Sequence, residues 1–188
     1  MDKRELRASM RQLKRILLPG IDKRRCEDAV FLAIESLREF ACCRRVLMYY
    51  SLPDELPTAS TLERWSVAGK QVYLPRVNGE LLDIMPYNPD SLAKGAFGIN
   101  EPSGGERVDP GCIDIAIVPG VAFDCHGNRL GRGRGFYDRL LSGAGQEIIT
   151  IGVGYDFQLL DRLPVEEHDM KLDYVVTPSC IIKKKTQD

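Results

Sequence analysis

The chain has 188 residues, 44% of them hydrophobic and 28% charged, with 26 Lys and Arg against 27 Asp and Glu. That length suits one domain, residues 1–188, with a sizeable core. The net charge of −1 excludes a global attraction to nucleic acid or to an anionic membrane, so any anion site must be local.

Along Asp2 to Leu18, Leu6, Met10, Leu13 and Leu17 recur in steps of four, three and four, which predicts a helix ended by Pro19-Gly20. Between Lys3 and Arg15 stand six basic residues and one acidic residue, Glu5. Lys3 and Arg7 share a face and repel unless an anion sits between them. A solvated helix face is the plainer alternative. The apolar stretch of an export signal is missing behind these basic residues, and no run of about 18 apolar residues could cross a bilayer. The expectation is a cytoplasmic protein. Its six cysteines include no C-x-x-C and read as reduced thiols, mostly packing residues.

Asp22 caps a second expected helix, running to about Ala41 with Val30, Phe31, Ile34 and Leu37 inward. Arg45 to Tyr50 reads as a strand. It leads into Ser51 to Thr58, a loop with adjacent carboxylates Asp54 and Glu55, placed where open α/β sheets keep their ligand sites. A helix cap beside a proline turn is the structural alternative for that pair. Thr58 and Ser60 start a helix that ends near Ala68-Gly69-Lys70, and Gln71 to Leu74 is a short strand closed by Pro75-Arg76. From Asn78 to Pro110, short apolar runs broken by Gly, Pro and Asn suggest turns and a hairpin. Further strands are expected at Ile113 to Val118, Glu147 to Val153 and Asp173 to Thr177, and residues 182–188 are expected to fray. Strands separated by helix-length segments give one three-layer α/β/α domain with a mostly parallel sheet.

The stretch that carries chemistry is Asp114 to Leu141, DIAIVPGVAFDCHGNRLGRGRGFYDRLL. A buried strand ends at Pro119-Gly120, then Gly131, Gly133 and Gly135 alternate with Arg132 and Arg134, and a helix starts at Phe136. Converging backbone N–H groups, a helix N-terminus and guanidinium groups make an anion-holding device. Neither Walker A nor the G-x-G-x-x-G fingerprint fits this spacing. Asp124 and Asp138 could balance the arginines as a structural knot of salt bridges. Asp138 also stands where Mg²⁺ is expected beside a polyphosphate, with Asp169 as a second carboxylate. His126 and His168 read as loop residues, and no Ser-His-Asp or Cys-His arrangement suggests itself.

PGVAFDCHGNRLGRGRGFYDRLL resembles the signature of the 5-formyltetrahydrofolate cyclo-ligase (methenyltetrahydrofolate synthetase) family. Lys3-Arg4-Glu5-Leu6-Arg7, Tyr50 to Thr58, Leu74 to Val77, Phe97 to Pro102 and Glu167 to Asp173 are similar to further family segments, in order. The resemblance implies a fold related to sugar-phosphate isomerases and CoA transferases. It also implies an ATP- and Mg²⁺-dependent conversion of 5-formyltetrahydrofolate to 5,10-methenyltetrahydrofolate, with release of ADP and phosphate through a phosphorylated formyl intermediate. ATP would be held by Lys3, Arg4, Arg7 and the loop Arg129, Leu130, Gly131, Arg132, Gly133, Arg134, Gly135, Phe136 and Tyr137. Arg132, Arg134 and Tyr137 would be catalytic, Tyr50 and Glu55 would bind the folate, and Asp138 and Asp169 would hold Mg²⁺. The substrate could carry a polyglutamate tail, and a monomer without nucleic acid or membrane partners is expected. Many members have Lys or Gly at Arg134 and Tyr at Phe136, which leaves Tyr137 as the better hydroxyl donor.

Three alternatives remain at this stage. A phosphosugar isomerase or CoA-transferase-like protein would hydrolyse no ATP. A nucleic-acid module would bind with steep salt dependence. A nucleotide or folate binder without activity is the third.

Overall fold

Apolar side chains alternate along the central strands, as in Val46/Leu47/Met48 and Ile115/Ala116/Ile117/Val118, so the main sheet must be covered on both faces. The computed structural model describes residues 1–95, 98–143, 148–166 and 169–184. Its strands are β1 Arg45–Leu47, β2 Gln71–Asn78, β3 Leu81–Pro86, β4 Leu92–Lys94, β5 Asn100–Pro102, β6 Ile115–Pro119, β7 Ala122–Asp124, β8 Arg129–Leu130, β9 Ile149–Val153, β10 Leu159–Leu160, β11 Tyr174–Thr177 and β12 Cys180–Lys183. The helices are α1 Lys3–Leu17, α2 Lys23–Glu35, α3 Arg38–Cys42, α4 Ala59–Val67 and α5 Phe136–Gly143.

Seven strands form the main sheet in the order β12-β11-β9-β6-β1-β2-β3. The inner neighbours from β11 to β2 pair in parallel, while β12 and β3 are antiparallel edges. From β1 the chain moves to β2 on one side, and from β6 to β9 on the other. A crevice therefore opens between the carboxyl ends of β1 and β6, the position where such sheets bind ligands. On one face, α2, α3 and α4 bury Val30, Phe31, Ile34, Phe40, Leu62 and Trp65. The other face is covered by α5, through Leu140 and Leu141, and by Phe123 from a small sheet of order β10-β7-β8. Against that small sheet α1 packs Leu6 and Met10, meeting Val121, Ala122, Leu130 and Leu163.

The mostly parallel α/β architecture agrees with the sequence reading, and several local expectations need correction. Leu17 is 36% exposed, whereas Lys14 is 4% exposed and takes the inward place one turn earlier. The second helix breaks at Leu37, whose extended backbone redirects the chain so that Phe40 meets Trp65 with ring centroids 4.5 Å apart. Pro75 does not end β2. The pairing with β1 stops at Tyr73, so a residue without an N–H is tolerated beyond it, and β2 continues to Asn78 as a hairpin with β3. The end of the chain is tied down further than expected, because Ile182 and Lys183 pair with Val175 and Tyr174; residues 185–188 lie outside the described residues. Of the six cysteines Cys43 is buried and Cys26 packs half-buried against the core, while Cys42, Cys112 and Cys125 are exposed, so the packing role holds for only part of them.

Candidate active site

A cleft of about 700 Å³ occupies the β1/β6 crevice, and every residue singled out from the sequence as a site residue lines it. Three structures converge there. The first is the N-terminal end of α1, fixed by a reciprocal cap in which the Asp2 carboxylate accepts the Arg4 and Glu5 N–H groups. From it Lys3 Nζ reaches Asp169 Oδ2 at 2.6 Å and Glu166 Oε2 at 3.0 Å, and Arg7 Nε donates to the Gly131 carbonyl at 2.8 Å. Burial pulls the Lys3 ammonium down, but Asp169 and Glu166 outweigh it, and its pKa lies above the ordinary value. Arg4 also lines the cleft, with its side chain more exposed.

The second structure is the glycine-arginine loop, delivered by the β7–β8 hairpin. Asp124, wholly buried, accepts the His126 and Asn128 N–H groups, the Asn128 side chain and the Leu163 N–H. It therefore pins the hairpin and does not balance the arginines, contrary to expectation. Gly133 and Gly135, with φ of 104° and 65°, adopt the left-handed backbone that other residues rarely take. Gly135 O accepts the Arg139 N–H at 3.0 Å, which starts α5. The Arg129 side chain is 5% exposed and donates to Asp138 Oδ1 at 2.8 Å; its Nε is a buried donor with no acceptor among the described residues. Part of the expected salt-bridge knot is thus real. Burial, with Glu55 nearby, pushes the Tyr137 phenol well up against the opposing Arg129 charge, so Tyr137 is a hydroxyl donor at neutral pH. Phe136, Gly131, Leu130 and Arg134 complete this wall.

The third structure is the loop after β1. Glu55 N–H donates to Leu52 O at 3.0 Å, and Glu55 Oε2 accepts the Leu52 N–H at 3.0 Å. Two buried phenols hold the loop's backbone from below: Tyr49 donates to Leu56 O at 2.9 Å and Tyr155 to Glu55 O at 3.1 Å. Thr58 donates to Tyr49 O and accepts the Ser51 N–H, so the Asp54-Glu55 pair is not a helix cap. Instead both carboxylates face Arg132. Its Nη2 lies 2.6 Å from Asp54 Oδ1 and 2.9 Å from Glu55 Oε1, and its Nε is 3.1 Å from Glu55 Oε1. Tyr50 lies beside this end of the cleft.

Two groups escaped the sequence reading. Lys14 is buried beneath Asp54, and Glu101 reaches the cleft from β5, its carboxyl pushed up by burial. Lys14 looked like one more cation on a basic helix, and Glu101 fell in a region without periodicity. His168 lies outside the described residues. Among the described residues no group of three carboxylate, imidazole or thiolate ligands stands together. Asp138 and Asp169 are each engaged by a cation, so a divalent ion here would draw most of its ligands from phosphate and water, which suits Mg²⁺.

The family model of the 5-formyltetrahydrofolate cyclo-ligase family matches residues 1–178. The chain is 43% identical over 143 residues to 5-formyltetrahydrofolate cyclo-ligase of Escherichia coli K12, covering 71% of this chain and 78% of that protein. It is 30% identical over 190 residues to the Mus musculus enzyme of the same name, covering 93% and 92%. The NMR structure of Aquifex aeolicus 5,10-methenyltetrahydrofolate synthetase superposes with a TM-score of 0.87 at 35% identity, over 100% of this chain and 95% of that one. The β1/β6 cleft, its glycine-arginine wall and a likeness that runs almost end to end agree: the chain belongs to the 5-formyltetrahydrofolate cyclo-ligase family of enzymes.

Proposed function

We propose that the chain catalyses the ATP- and Mg²⁺-dependent cyclisation of 5-formyltetrahydrofolate to 5,10-methenyltetrahydrofolate. The observation that carries this reading is the set of residues that line one cleft. Basic residues of α1 and the glycine loop line it together with Asp138 and Asp169, and Glu55, within reach of Arg132, and Tyr50 line the same cleft. Its volume of about 700 Å³ is in the range of sites that enclose small ligands.

The formamide oxygen of the substrate is a poor leaving group. Phosphorylated, it becomes one; N10 of the same molecule then attacks the formyl carbon, the ring closes and phosphate departs. No covalent nucleophile is needed, only positioning and charge neutralisation. Lys3, Arg7 and Arg129, with its unsatisfied Nε, fit the phosphates. Arg132 and Arg134 neutralise the charge of the transferring phosphoryl group, and Tyr137 donates a hydrogen bond to it. Glu55 takes the polar pterin end of the folate. Asp138 and Asp169 would hold Mg²⁺, which screens phosphate charge when bound.

The test is absorbance in the near-ultraviolet band of the methenyl product. Mixing the protein with 5-formyltetrahydrofolate, ATP and Mg²⁺ should produce a rise that needs all three additions. In Asp138→Ala, folded by circular dichroism, the rate should fall by about 10²-fold or more. No rise from folded wild-type protein would overturn the reading.

A further inference from the structure

Lys14 has no part in the chemistry just described, yet it is the most deeply buried cation on α1. Its side chain is 5% exposed, and its Nζ donates to the Asp54 carbonyl at 2.8 Å and to Asp54 Oδ2 at 3.2 Å. Burial pushes the ammonium down, partly opposed by Asp54. Holding a charge at such a place is costly. A buried ion pair often contributes less stability than apolar side chains of the same volume, so an apolar residue at this point of the inward stripe would serve packing as well. What an apolar residue could not do is fix Asp54.

Lys3, Arg7, Met10 and Lys14 follow each other at steps of four, three and four, and so lie along one face of α1. Lys3 and Lys14 are roughly 16 Å apart along the helix axis at 1.5 Å per residue. This face touches two walls of the cleft: Arg7 grips Gly131 of the glycine-arginine loop, and Lys14, at the far end, grips Asp54 of the loop after β1. Asp54 is also shared. Its Oδ2 faces Lys14 and its Oδ1 faces Arg132. With Lys14 in place, Asp54 keeps a counter-charge whether Arg132 is docked on it or turned toward a phosphate.

Resting on the cyclo-ligase reading, we infer that Lys14 is a positioning residue: through Asp54 it sets the Leu52–Leu56 loop so that Glu55 meets the folate, and it leaves Arg132 free to exchange partners. The backbone acceptor is the telling part, because a contact to the Asp54 carbonyl orients the loop and not merely a side chain.

A double-mutant cycle tests this with Lys14→Met, Asp54→Asn and the pair, reading 5-formyltetrahydrofolate affinity by calorimetry and hydrogen exchange at the Leu52 and Glu55 amides. Each single change should weaken folate binding about tenfold or more and speed exchange at both amides. The double variant should be no worse than the weaker single. A purely structural Lys14 would lower the melting temperature of Lys14→Met while folate affinity stayed within about twofold; that result, or effects that multiply in the pair, overturns the inference. If Lys14→Met fails to fold, Lys14→Gln takes its place in the cycle, and unchanged folate affinity there is equally fatal. If wild-type protein binds no folate, the cyclo-ligase reading is what fails, and the exchange rates still report whether Lys14 holds the loop.

Discussion

Arg132 is held by two carboxylates, and those charges keep it firmly protonated: desolvation pulls its pKa down, but Glu55 and Asp54 raise it further. Asp54 is likewise driven up by burial and then below its ordinary value by Lys14 and Arg132. On the proposed function, the guanidinium trades one set of anions for another when a phosphate arrives, and the forked geometry serves both. Arg132→Ala should lower kcat by about 10²-fold, and Arg132→Lys should recover little of it, because a point charge cannot bridge two carboxylates bidentately. Steady-state kinetics with each substrate in turn checks this. At this scale the sequence displayed the groups but not their partners. Glu55, Arg132, Asp138 and Asp169 stood out by type and setting, whereas Lys14 did not, because basic residues at helical spacing look alike whether they face water or a buried carbonyl.

Elements show a different limit. The long helices were readable because their apolar residues recur at helical spacing, and the inner strands because they are continuous apolar runs covered on both faces. The small sheet was not, since β8 and β10 have two residues each and cannot display a period. What held it in place was a turn built by Asp124 and Gly127, the latter at φ 79°. At the other edge of the molecule β12 is fastened by side chains as well as by its ladder. The Glu39 carboxylate accepts a hydrogen bond from Tyr174 and one from Lys183 at 3.1 Å, and its pKa falls from 4.5 to about 2, chiefly through Tyr174. A carboxyl whose folded pKa is depressed stabilises the fold above its unfolded pKa and loses that contribution as pH falls through the folded one. Tyr174→Phe should therefore lower the melting temperature by about 2 °C at pH 6 to 7. The gap should narrow steadily between pH 4.5 and about 2, where the wild-type carboxyl becomes protonated; differential scanning calorimetry across that window checks it.

At the scale of the whole molecule, the cleft is where the chain's ends meet its middle: α1, the loop after β1, the glycine-arginine loop and the segment before β11. Ligands that bind there stitch distant parts together. ATP with Mg²⁺ at about 100 times its dissociation constant should contribute about 2.7 kcal/mol, raising the melting temperature by about 5–10 °C for a chain of this size. ATP without Mg²⁺ should give clearly less, because the phosphates then meet Asp138 and Asp169 unscreened. Trp65, the only tryptophan, is 2% exposed and packed against Phe31 and Phe40 away from the cleft, so its emission follows unfolding and not ligand contact. An equal midpoint with and without the nucleotide would count against the proposed site.

The reach of α1 also bears on the order in which the protein is made. Lys3 pairs with Asp169, and Leu6 and Met10 pack with Leu163. Made before them, α1 therefore waits for the segment from Leu163 to Asp169. At roughly 5–20 residues per second the delay between Lys3 and Asp169 is about 8–33 s. Through that interval an amphipathic helix with a basic face has nothing to cover it, and the central strand β1 is likewise without its neighbour β6 until that strand emerges. The site is thus completed only once Asp169 has been made, and a chain interrupted before Leu163 would carry five of the seven strands of its main sheet but no finished cleft.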